Sequence, residues 1–594
     1  MPLLREKETG AGKFSLICNY PSYCRHGETI SLSAESRWYP PKKQESFVVP
    51  QPSSTSLALN RARGLSWAGG VPALVFLLVA VAALWVRPPL AIDETRYLAV
   101  EWESYITDNH LLLTLNGVPY THKTPLLFAM VEEIWDITGP NQMLARLIPI
   151  LFGAAAILLL RVLTGILARD EGEGVLPVGQ PHWILAGLPM FAIFGQAFMF
   201  DTMLACGALI AIIGTVTAAH GRMRSGLLLL LLGVSLGFAS KGPVILLHTA
   251  PVALLAPFWV MGELPVSRMK WTLLVVAAIL GGAAINAVWV VPSFIEMSKS
   301  SGWELVWTQT FGRVEGKFGH PRPIWFLFAL LPALLLPWTL SSATWSRSVW
   351  RRALKSESVR LGLVWFVSAL ILHSLSAGKQ AYYLFPSLPG AALVIAGFVE
   401  SAAAERKDAL KFPLAAGAML MVAGGIIFLA GALFPSQIRA TFGFDPATTV
   451  LPPVGLLLCG LACWGIMRAR DGRRLAAGAI VGLVAFLFAQ MSLAPIWQQN
   501  DPSRIVQAVP GLNERPVAWV GGYNGEISFA AARTTPIDIL DDTSQAPAWL
   551  SEHPEGVVFS HVDNTEAPVT GVDATFLRWR GHYLAALTRE KASE

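Results

Sequence analysis

Acidic, basic and aromatic residues follow the first long apolar run of the sequence within a few positions. Asp93, Glu94, Arg96 and Tyr97 lie in the stretch AIDETRYLA at 91–99. Asp93, Arg96 and Tyr97 are spaced i, i+3 and i+4, so they share one face of a helix. A carboxylate can orient or deprotonate an acceptor, and a guanidinium can neutralise a phosphate. The stretch therefore predicts either a capped helix start or one part of an acid–base site.

Similar groups recur in other loops, where they stand beside glycine, proline and aromatic residues. They are Tyr120, Lys123, Asp201, Lys241, Arg313, Lys379, Tyr382 and Tyr383. Several cations with two isolated carboxylates suit a phosphorylated lipid, because cations stabilise a departing phosphate and a carboxylate can activate the acceptor. Asp93 and Asp201 are therefore the catalytic candidates. No Walker A sequence and no GxGxxG between a strand and a helix is present, so a nucleotide donor is not indicated.

The elements that must position these residues are membrane helices. Hydrophobic residues make up 53% of the 594 residues and charged residues only 14%, and the net charge of +5 is too small to indicate nucleic acid. Apolar runs predict about thirteen spans. They lie at 67–86, 147–167, 183–200, 202–219, 226–240, 243–261, 271–292, 323–343, 361–376, 383–399, 412–434, 450–467 and 475–495. Basic residues concentrate in alternate loops, which predicts a cytoplasmic N-terminus and an external C-terminal segment.

Three regions follow from this pattern. Residues 1–64 are predicted to be a disordered cytoplasmic tail, residues 65–495 a transmembrane domain, and residues 496–594 a soluble α/β domain outside the membrane. The strand candidates of that last domain are PVAWVGG, GVVFSHV and ATFLRWRGHYLAALTR, with a helix over Ala546–Ser551. None of the five cysteines has metal-finger spacing.

Two local features bear on where the candidate residues lie. The apolar stretch 226–261 is interrupted by Ser-Lys-Gly-Pro at 240–243, and a single helix of that length would be roughly 54 Å long. Two helices with a turn are predicted instead, which brings Lys241 to the outer face. In the loop at 88–146, a helix capped by Thr124 is predicted to lie in the interface plane, with Glu132 and Glu133 on its wet side.

Six motifs resemble, in order, those of the GT-C membrane glycosyltransferases. The branch is that of the lipid A aminoarabinose transferases and the bacterial relatives of protein O-mannosyltransferases. The motifs are DETRY at 93–97, NGVPYTHKTPLLF at 116–128, FDTML at 200–204, ASKGPV at 239–244, the stretch with His320, Pro323 and Trp325, and SAGKQAYYLFPSLP at 376–389. Each motif is short, but their shared order makes the resemblance specific.

The resemblance implies an all-α polytopic GT-C protein with a small external α/β domain. It implies an inverting transferase of the bacterial cytoplasmic membrane that moves a sugar from a polyprenyl phosphate, such as undecaprenyl phosphate, to an acceptor on the periplasmic side. Lipid A, another glycolipid, a glycan or a protein would be that acceptor. By position, Asp93 and Asp201 would be catalytic. The substrate- and phosphate-binding set would be Glu94, Arg96, Tyr97, Tyr120, Lys123, Lys241, Arg313, Lys379, Tyr382 and Tyr383.

A metal is not required by the sequence, but one candidate pair exists. The family usually has an acid before the first-loop lysine, and this chain has His122 there. That acid and a histidine matching His320 resemble a divalent-metal pair of the lipid A transferases. An imidazole can bind zinc, so His122 and His320 stay a candidate pair for zinc, magnesium or manganese.

Two other classes of function remain open. A protein O-mannosyltransferase-like enzyme would use the same donor chemistry with a protein acceptor. A lipid-linked-sugar transporter, or a relative that only binds polyprenyl lipid, would need no catalytic carboxylate. Transporters tend to show inverted repeats and ionisable residues near the bilayer midplane, whereas these charges concentrate at one surface. Replacing Asp93 with Asn separates these classes, because only a transferase loses turnover.

Overall fold

The computed structural model describes residues 6–9, 13–16, 69–109, 112–120, 122–170, 180–296, 321–437, 449–467 and 474–590. The chain forms two units, Met1–Leu65 and Ser66–Glu594. In the first unit the described residues are a hairpin of β1 (Glu6–Thr9) and β2 (Lys13–Leu16). The predicted disordered tail otherwise lies outside the described residues. All features below belong to the second unit.

Helices make up most of the second unit. Before the external segment they are α1 (Val71–Leu84), α2 (Asp93–Thr107), α3 (Leu126–Thr138), α4 (Gln142–Asp170), α5 (Pro181–Gly187), α6 (Pro189–Phe194), α7 (Asp201–Ala219), α8 (Met223–Lys241), α9 (Ile245–Leu254), α10 (Ala256–Trp259), α11 (Arg268–Ile285), α12 (Ala287–Glu296), α13 (Phe326–Leu334), α14 (Arg347–Ala353), α15 (Glu357–Leu375), α16 (Leu388–Ala404), α17 (Lys411–Leu433), α18 (Leu451–Ile466) and α19 (Arg474–Ser492). A 3₁₀ helix, Ala381–Ser387, leads into α16.

Among the described residues, eight helical segments are long and apolar enough to cross a membrane. Two shorter apolar helices, α1 and α18, add to them. The predicted spans at 183–200, 243–261, 271–292 and 323–343 are wrong as single helices. Leu188 is extended before Pro189, which splits the first into α5 and α6. The second is interrupted at Leu255 and the third at Asn286, and the helix of the fourth ends at Leu334, close to two prolines. A proline removes a backbone donor and disfavours helix in the residue before it. The total of thirteen stays a prediction.

The tightest helix pair, α7 and α8, brings two candidate residues together. A side chain on Gly233 would meet the Ala211 backbone nitrogen at 2.3 Å, and one on Gly214 would meet that of Leu230 at 2.3 Å. The missing side chains therefore let the two backbones touch, as small residues do between membrane helices. Because the helices are consecutive and antiparallel, Asp201 at the start of α7 lies beside Lys241 at the end of α8.

The predicted turn after Lys241 is confirmed. Gly242 has a positive φ of 66°, a conformation that glycine adopts without strain. Gly237 of α8 then faces the Ile245 side chain of α9, so the chain bends back on itself. The lysine ends one helix and does not lie inside a continuous one.

The two helices of the first loop pack on each other, and their buried face differs from the predicted one. The predicted helix exists as α3, with Gly139 as its C-cap at a φ of 76°, but its N-cap residue is Pro125 and the predicted cap by the Thr124 side chain is not formed. Glu132, however, is only 6% exposed, so its placement on the wet side was wrong. Glu101 of α2 is fully buried close to it. Because α2 packs against α3, the buried face of α3 differs from the face that its apolar residues alone indicate.

The external segment is a small α/β domain, as predicted. It begins with α20 (Ala494–Gln499) and α21 (Pro502–Ala508), and one further helix, α22 (Ala546–Glu552), follows the predicted range. Its strands are β5 (Val517–Val520), β6 (Asp538–Leu540), β7 (Val557–Val562), β8 (Val572–Trp579) and β9 (His582–Arg589). They form one five-stranded sheet in the order β6-β5-β7-β9-β8. The short edge strand β6 had no sequence prediction.

This domain is bound to the first loop by specific hydrogen bonds. Asn116 lies in the turn between β3 (Thr114–Leu115) and β4 (Val118–Pro119), and it exchanges two bonds with the Ile537 backbone at 2.8 and 2.7 Å. The Trp102 indole donates to the Arg533 carbonyl at 2.6 Å. The domain therefore covers the outer side of α2.

Candidate functional site

The centre of the site is a buried ion pair. The Lys241 ammonium donates to Asp201 Oδ1 at 2.7 Å, and the two side chains are 8% and 2% exposed. Asp201 Oδ2 has no hydrogen-bond partner among the described residues. A buried pair needs a close partner for each charge, so this contact fixes both groups. Asp201 therefore serves as the counter-ion of the Lys241 ammonium, and its second oxygen is buried.

Two tyrosine rings enclose the Lys241 ammonium. Its nitrogen lies 5.1 Å from the Tyr382 ring centroid and 5.5 Å from that of Tyr383. Cations bind the faces of aromatic rings at such distances. Both tyrosines come from the 3₁₀ helix before α16, so two distant predicted motifs meet here.

A second lysine, from the first loop, lies between α2 and the start of α7. Lys123 is 5.6 Å from the Tyr97 ring centroid and 5.8 Å from that of Phe200, the residue before Asp201. Tyr97 and Phe200 contact each other edge to face at 5.2 Å. Lys123 therefore links the first loop with the start of α7.

Local turn chemistry explains how the first loop presents its residues. Asn116 and Gly117 have positive φ values of 58° and 75°, the usual pattern of a tight hairpin turn. The returning strand leads to Tyr120, which is 6% exposed and whose ring lies 5.2 Å from that of His122. Lys123 follows directly.

Asp93, Arg96 and Tyr97 share one face of α2, as their spacing predicts. The Arg96 guanidinium lies 3.5 Å from Asp93 Oδ1, and the Asp93 side chain is 42% exposed. Tyr97 is buried, and this burial, together with the nearby Asp93 carboxylate, raises the pKa of its hydroxyl. Of the two catalytic candidates, Asp93 is the open one and Asp201 the enclosed one.

The geometry favours a structural role for Glu94. Arg87 donates to both of its oxygens, and the backbone nitrogens of Leu90 and Phe198 donate at 2.9 and 2.6 Å. Although burial acts in the opposite direction, Arg87 and the nearby Arg146 hold the pKa of Glu94 at about 2. Glu94 therefore joins α2 to the segment before α7. Sequence reading missed Arg87 and Arg146, which no motif marks.

Lys379 is also enclosed by protein groups. Its ammonium donates to the Arg322 carbonyl at 2.9 Å and to that of Ala377 at 3.5 Å, and the residue is 3% exposed. It secures the turn in which Pro321 pairs with Gly378. Lys379 therefore lies just before the 3₁₀ helix that carries Tyr382 and Tyr383.

Two of the predicted residues cannot be placed. Arg313 and His320 lie outside the described residues. His122 is exposed, and no group of three potential metal ligands occurs within the described ranges. The proposed pair of metal ligands is therefore represented by one histidine alone.

The site also borders a cavity that the sequence did not indicate. It has a volume of about 430 Å³ and lies between α2, the start of α4 and the external domain, lined among others by Thr95, Leu98, Asp501 and Glu526. Thr95 and Leu98 stand on the face of α2 opposite to Asp93 and Arg96. The cavity therefore lies on the side of α2 away from Asp93 and Arg96.

The fold is that of the GT-C class of membrane glycosyltransferases. Solved structures of ArnT from Cupriavidus metallidurans superpose with a TM-score of 0.66 without ligand and 0.64 bound to undecaprenyl phosphate, at 15% and 14% identity. Each comparison covers 90% of this chain and 98% of that one. The resemblance predicted from the six motifs is thereby confirmed at the level of fold.

In sequence the chain is similar to particular proteins of that class, the undecaprenyl phosphate-α-4-amino-4-deoxy-L-arabinose arabinosyl transferases. The protein of this name from Edwardsiella ictaluri is 24% identical over 522 residues, which cover 81% of this chain and 90% of that protein. The one from Pseudomonas aeruginosa is 25% identical over 331 residues, or 54% and 57% of the two chains. No family model matches the chain.

Proposed function

We propose that this chain is an inverting glycosyltransferase of the bacterial cytoplasmic membrane. It moves a sugar from a polyprenyl phosphate, with undecaprenyl phosphate as the natural carrier, to lipid A or another glycolipid on the periplasmic side. The observation that carries the proposal is the Asp201–Lys241 pair inside its tyrosine enclosure, next to Lys123. The names of the relatives supply the donor class and the kind of sugar.

Each group has a defined task in such a reaction. An acceptor oxygen forms a bond to the anomeric carbon while the bond from that carbon to the phosphate oxygen breaks, and polyprenyl phosphate leaves with the electron pair. Lys241, Lys123 and Arg96 neutralise the charge that develops on this phosphate. Asp93, the more exposed carboxylate, takes the proton of an acceptor hydroxyl, and Asp201 keeps the Lys241 ammonium oriented.

A metal remains a separate proposal. His122 could supply one imidazole ligand, and its partner would have to be His320. A single exposed histidine whose ring contacts Tyr120 does not make a site on its own. No step above depends on a metal.

The decisive experiment uses the purified protein with an undecaprenyl phosphate-linked amino sugar and lipid A, followed by mass spectrometry of the lipid. The wild type should add the amino sugar to lipid A. Asp93→Asn should lose at least about 100-fold of the turnover, because the base is gone, while it still binds undecaprenyl phosphate. Glu133→Gln, exposed on α3, is the control.

Other outcomes would contradict the proposal in identifiable ways. Sugar on a protein acceptor but never on lipid would indicate the O-mannosyltransferase-like alternative. Movement of the donor across vesicles with no transfer, unaffected by Asp93→Asn, would indicate a transporter.

A further inference from the structure

A chain of buried polar side chains lies behind the site, within the helical bundle. His248 Nδ1 is 2.7 Å from the Ser387 hydroxyl oxygen, and His248 Nε2 is 3.2 Å from His373 Nε2. His248 and Ser387 have no exposed surface, and His373 is 4% exposed. The mechanism above uses none of the three.

Hydrogen-bond chemistry limits how these rings can be arranged. Two facing imidazole nitrogens can bond only if one carries a hydrogen and the other does not. His248 uses both of its ring nitrogens, one toward Ser387 and one toward His373. No other side chain of similar size has two such atoms on opposite edges of a rigid ring, so the link defines one orientation of His248.

The link joins the two segments that form the enclosure around the Lys241 ammonium. His248 lies on α9, which begins just after the turn that holds Lys241. Ser387 is the last residue of the 3₁₀ helix that carries Tyr382 and Tyr383, and the His373 ring lies 5.6 Å from that of Tyr383. The hydrogen bonds therefore connect the segment of the ammonium with the segment of the rings.

An apolar contact would also hold these helices together, but it would not fix their relative orientation as the hydrogen bonds of His248 do. Ionisable residues inside a membrane protein are expensive to bury and tend to mark functional positions. His182 provides a comparison, since its buried ring has no hydrogen-bond partner among the described residues. A fully connected polar network, in contrast, makes a structure more rigid.

We propose that His248 and His373 are positioning residues, which hold the Lys241 ammonium and the rings of Tyr382 and Tyr383 in register to stabilise the departing phosphate. This inference rests on the proposed glycosyl transfer. Their effect is expected on the chemical step, because a displacement of about 1 Å in a reacting group can reduce a rate about 100-fold.

The test measures kcat and the KM for the undecaprenyl phosphate-linked sugar in His248→Leu, with His182→Leu as the matched control. We expect kcat to fall at least about tenfold in His248→Leu, with KM within about threefold of the wild type and little change in the control. Ser387→Ala, which removes one bond and little volume, should give a smaller loss of the same kind. Unfolding temperatures in detergent identify variants that fail to fold.

A double-variant cycle separates positioning from general stability. If His248 acts through Lys241, His248→Leu should slow a Lys241→Gln protein by less than about twofold further. The inference would be overturned if His248→Leu reduced kcat by the same factor in the Lys241→Gln protein as in the wild type. It would also be overturned if kcat were unchanged in both His248→Leu and Ser387→Ala. An inactive wild type would instead contradict the proposed function, and the inference with it.

Discussion

Within the part of the chain that the structure describes, the Asp201 carboxylate and the rings of Tyr382 and Tyr383 restrict the position of the Lys241 ammonium. The carboxylate compensates its charge, and the rings exclude water without removing that charge. In the proposed transfer, a cation held in this way is oriented for the phosphate before the donor binds, which is the general condition for electrostatic catalysis.

The first prediction concerns the two charges of this pair. Lys241→Met should reduce transfer at least about 100-fold and destabilise the protein by about 3–5 kcal/mol, because it leaves Asp201 buried and unpaired. Combining it with Asp201→Asn should restore much of the unfolding temperature in detergent and none of the transfer. A double variant with normal transfer would show that the pair is only structural.

Glu101 leads to a prediction on pH dependence. Burial, followed by the charges of Glu132 and Asp136, raises the pKa of Glu101 from its ordinary 4.5 to about 9, so the folded protein favours the protonated acid. Its share of the stability is present at low pH and is lost as the pH rises from 4.5 to about 9. The Glu101→Gln variant keeps the shape but cannot ionise.

Thermal unfolding in detergent tests this expectation. Glu101→Gln should unfold at a higher temperature than the wild type at about pH 8 and at a similar temperature at about pH 5. Glu133→Gln, exposed on the neighbouring α3, should change neither value. An equal difference at both pH values would rule out the titration of Glu101.

At the scale of elements, the site depends on how closely α7 and α8 approach. Asp201 and Lys241 are at the open ends of these helices, so any increase in the spacing between the helices lengthens the ion pair. Glycines at the crossing make the close approach sterically allowed. The sequence pattern placed the start of α7 and the end of α8 within one residue but gave no measure of the separation between the helices.

We predict that Gly233→Ala weakens both stability and transfer. Its new methyl group would lie 2.3 Å from the Ala211 backbone nitrogen, and overpacking of this kind costs about 1–3 kcal/mol. Gly165→Ala in α4 is the control, because nothing lies within 4 Å of the added carbon there. Unfolding temperature and kcat measured on both variants check this, and equal behaviour of the two would refute the role of the crossing.

At the scale of the whole molecule, the external domain is bound to the first loop through Trp102, Asn116 and backbone groups. Gly525 of that domain also lies against Ala99 and the Arg96 backbone. The domain therefore supports the helix that carries Asp93, Arg96 and Tyr97, although it contributes none of the groups in the ion pair.

Loss of these contacts should make the segment that connects α19 to the C-terminal domain more accessible to proteases. Trp102→Phe removes one hydrogen bond worth about 1 kcal/mol, so proteolysis near residues 493–501 should become about fivefold faster. Trp549→Phe, whose indole bonds to Asp538 within the domain, is the control. Unchanged cleavage in both variants would mean that docking does not depend on Trp102.

The sequence by itself determined which segments are apolar, that the chain turns after Lys241, and which residue types could bind a phosphate. These properties depend on neighbours within a few positions. Only the tertiary structure decided that Glu94 joins α2 to the segment before α7, that Glu132 is buried and that the His248 ring contacts the His373 ring. His248 and His373 are 125 positions apart in the sequence, and Glu94 and Phe198 are 104 positions apart. Packing between helices brings such distant groups together, and no local sequence pattern encodes that packing.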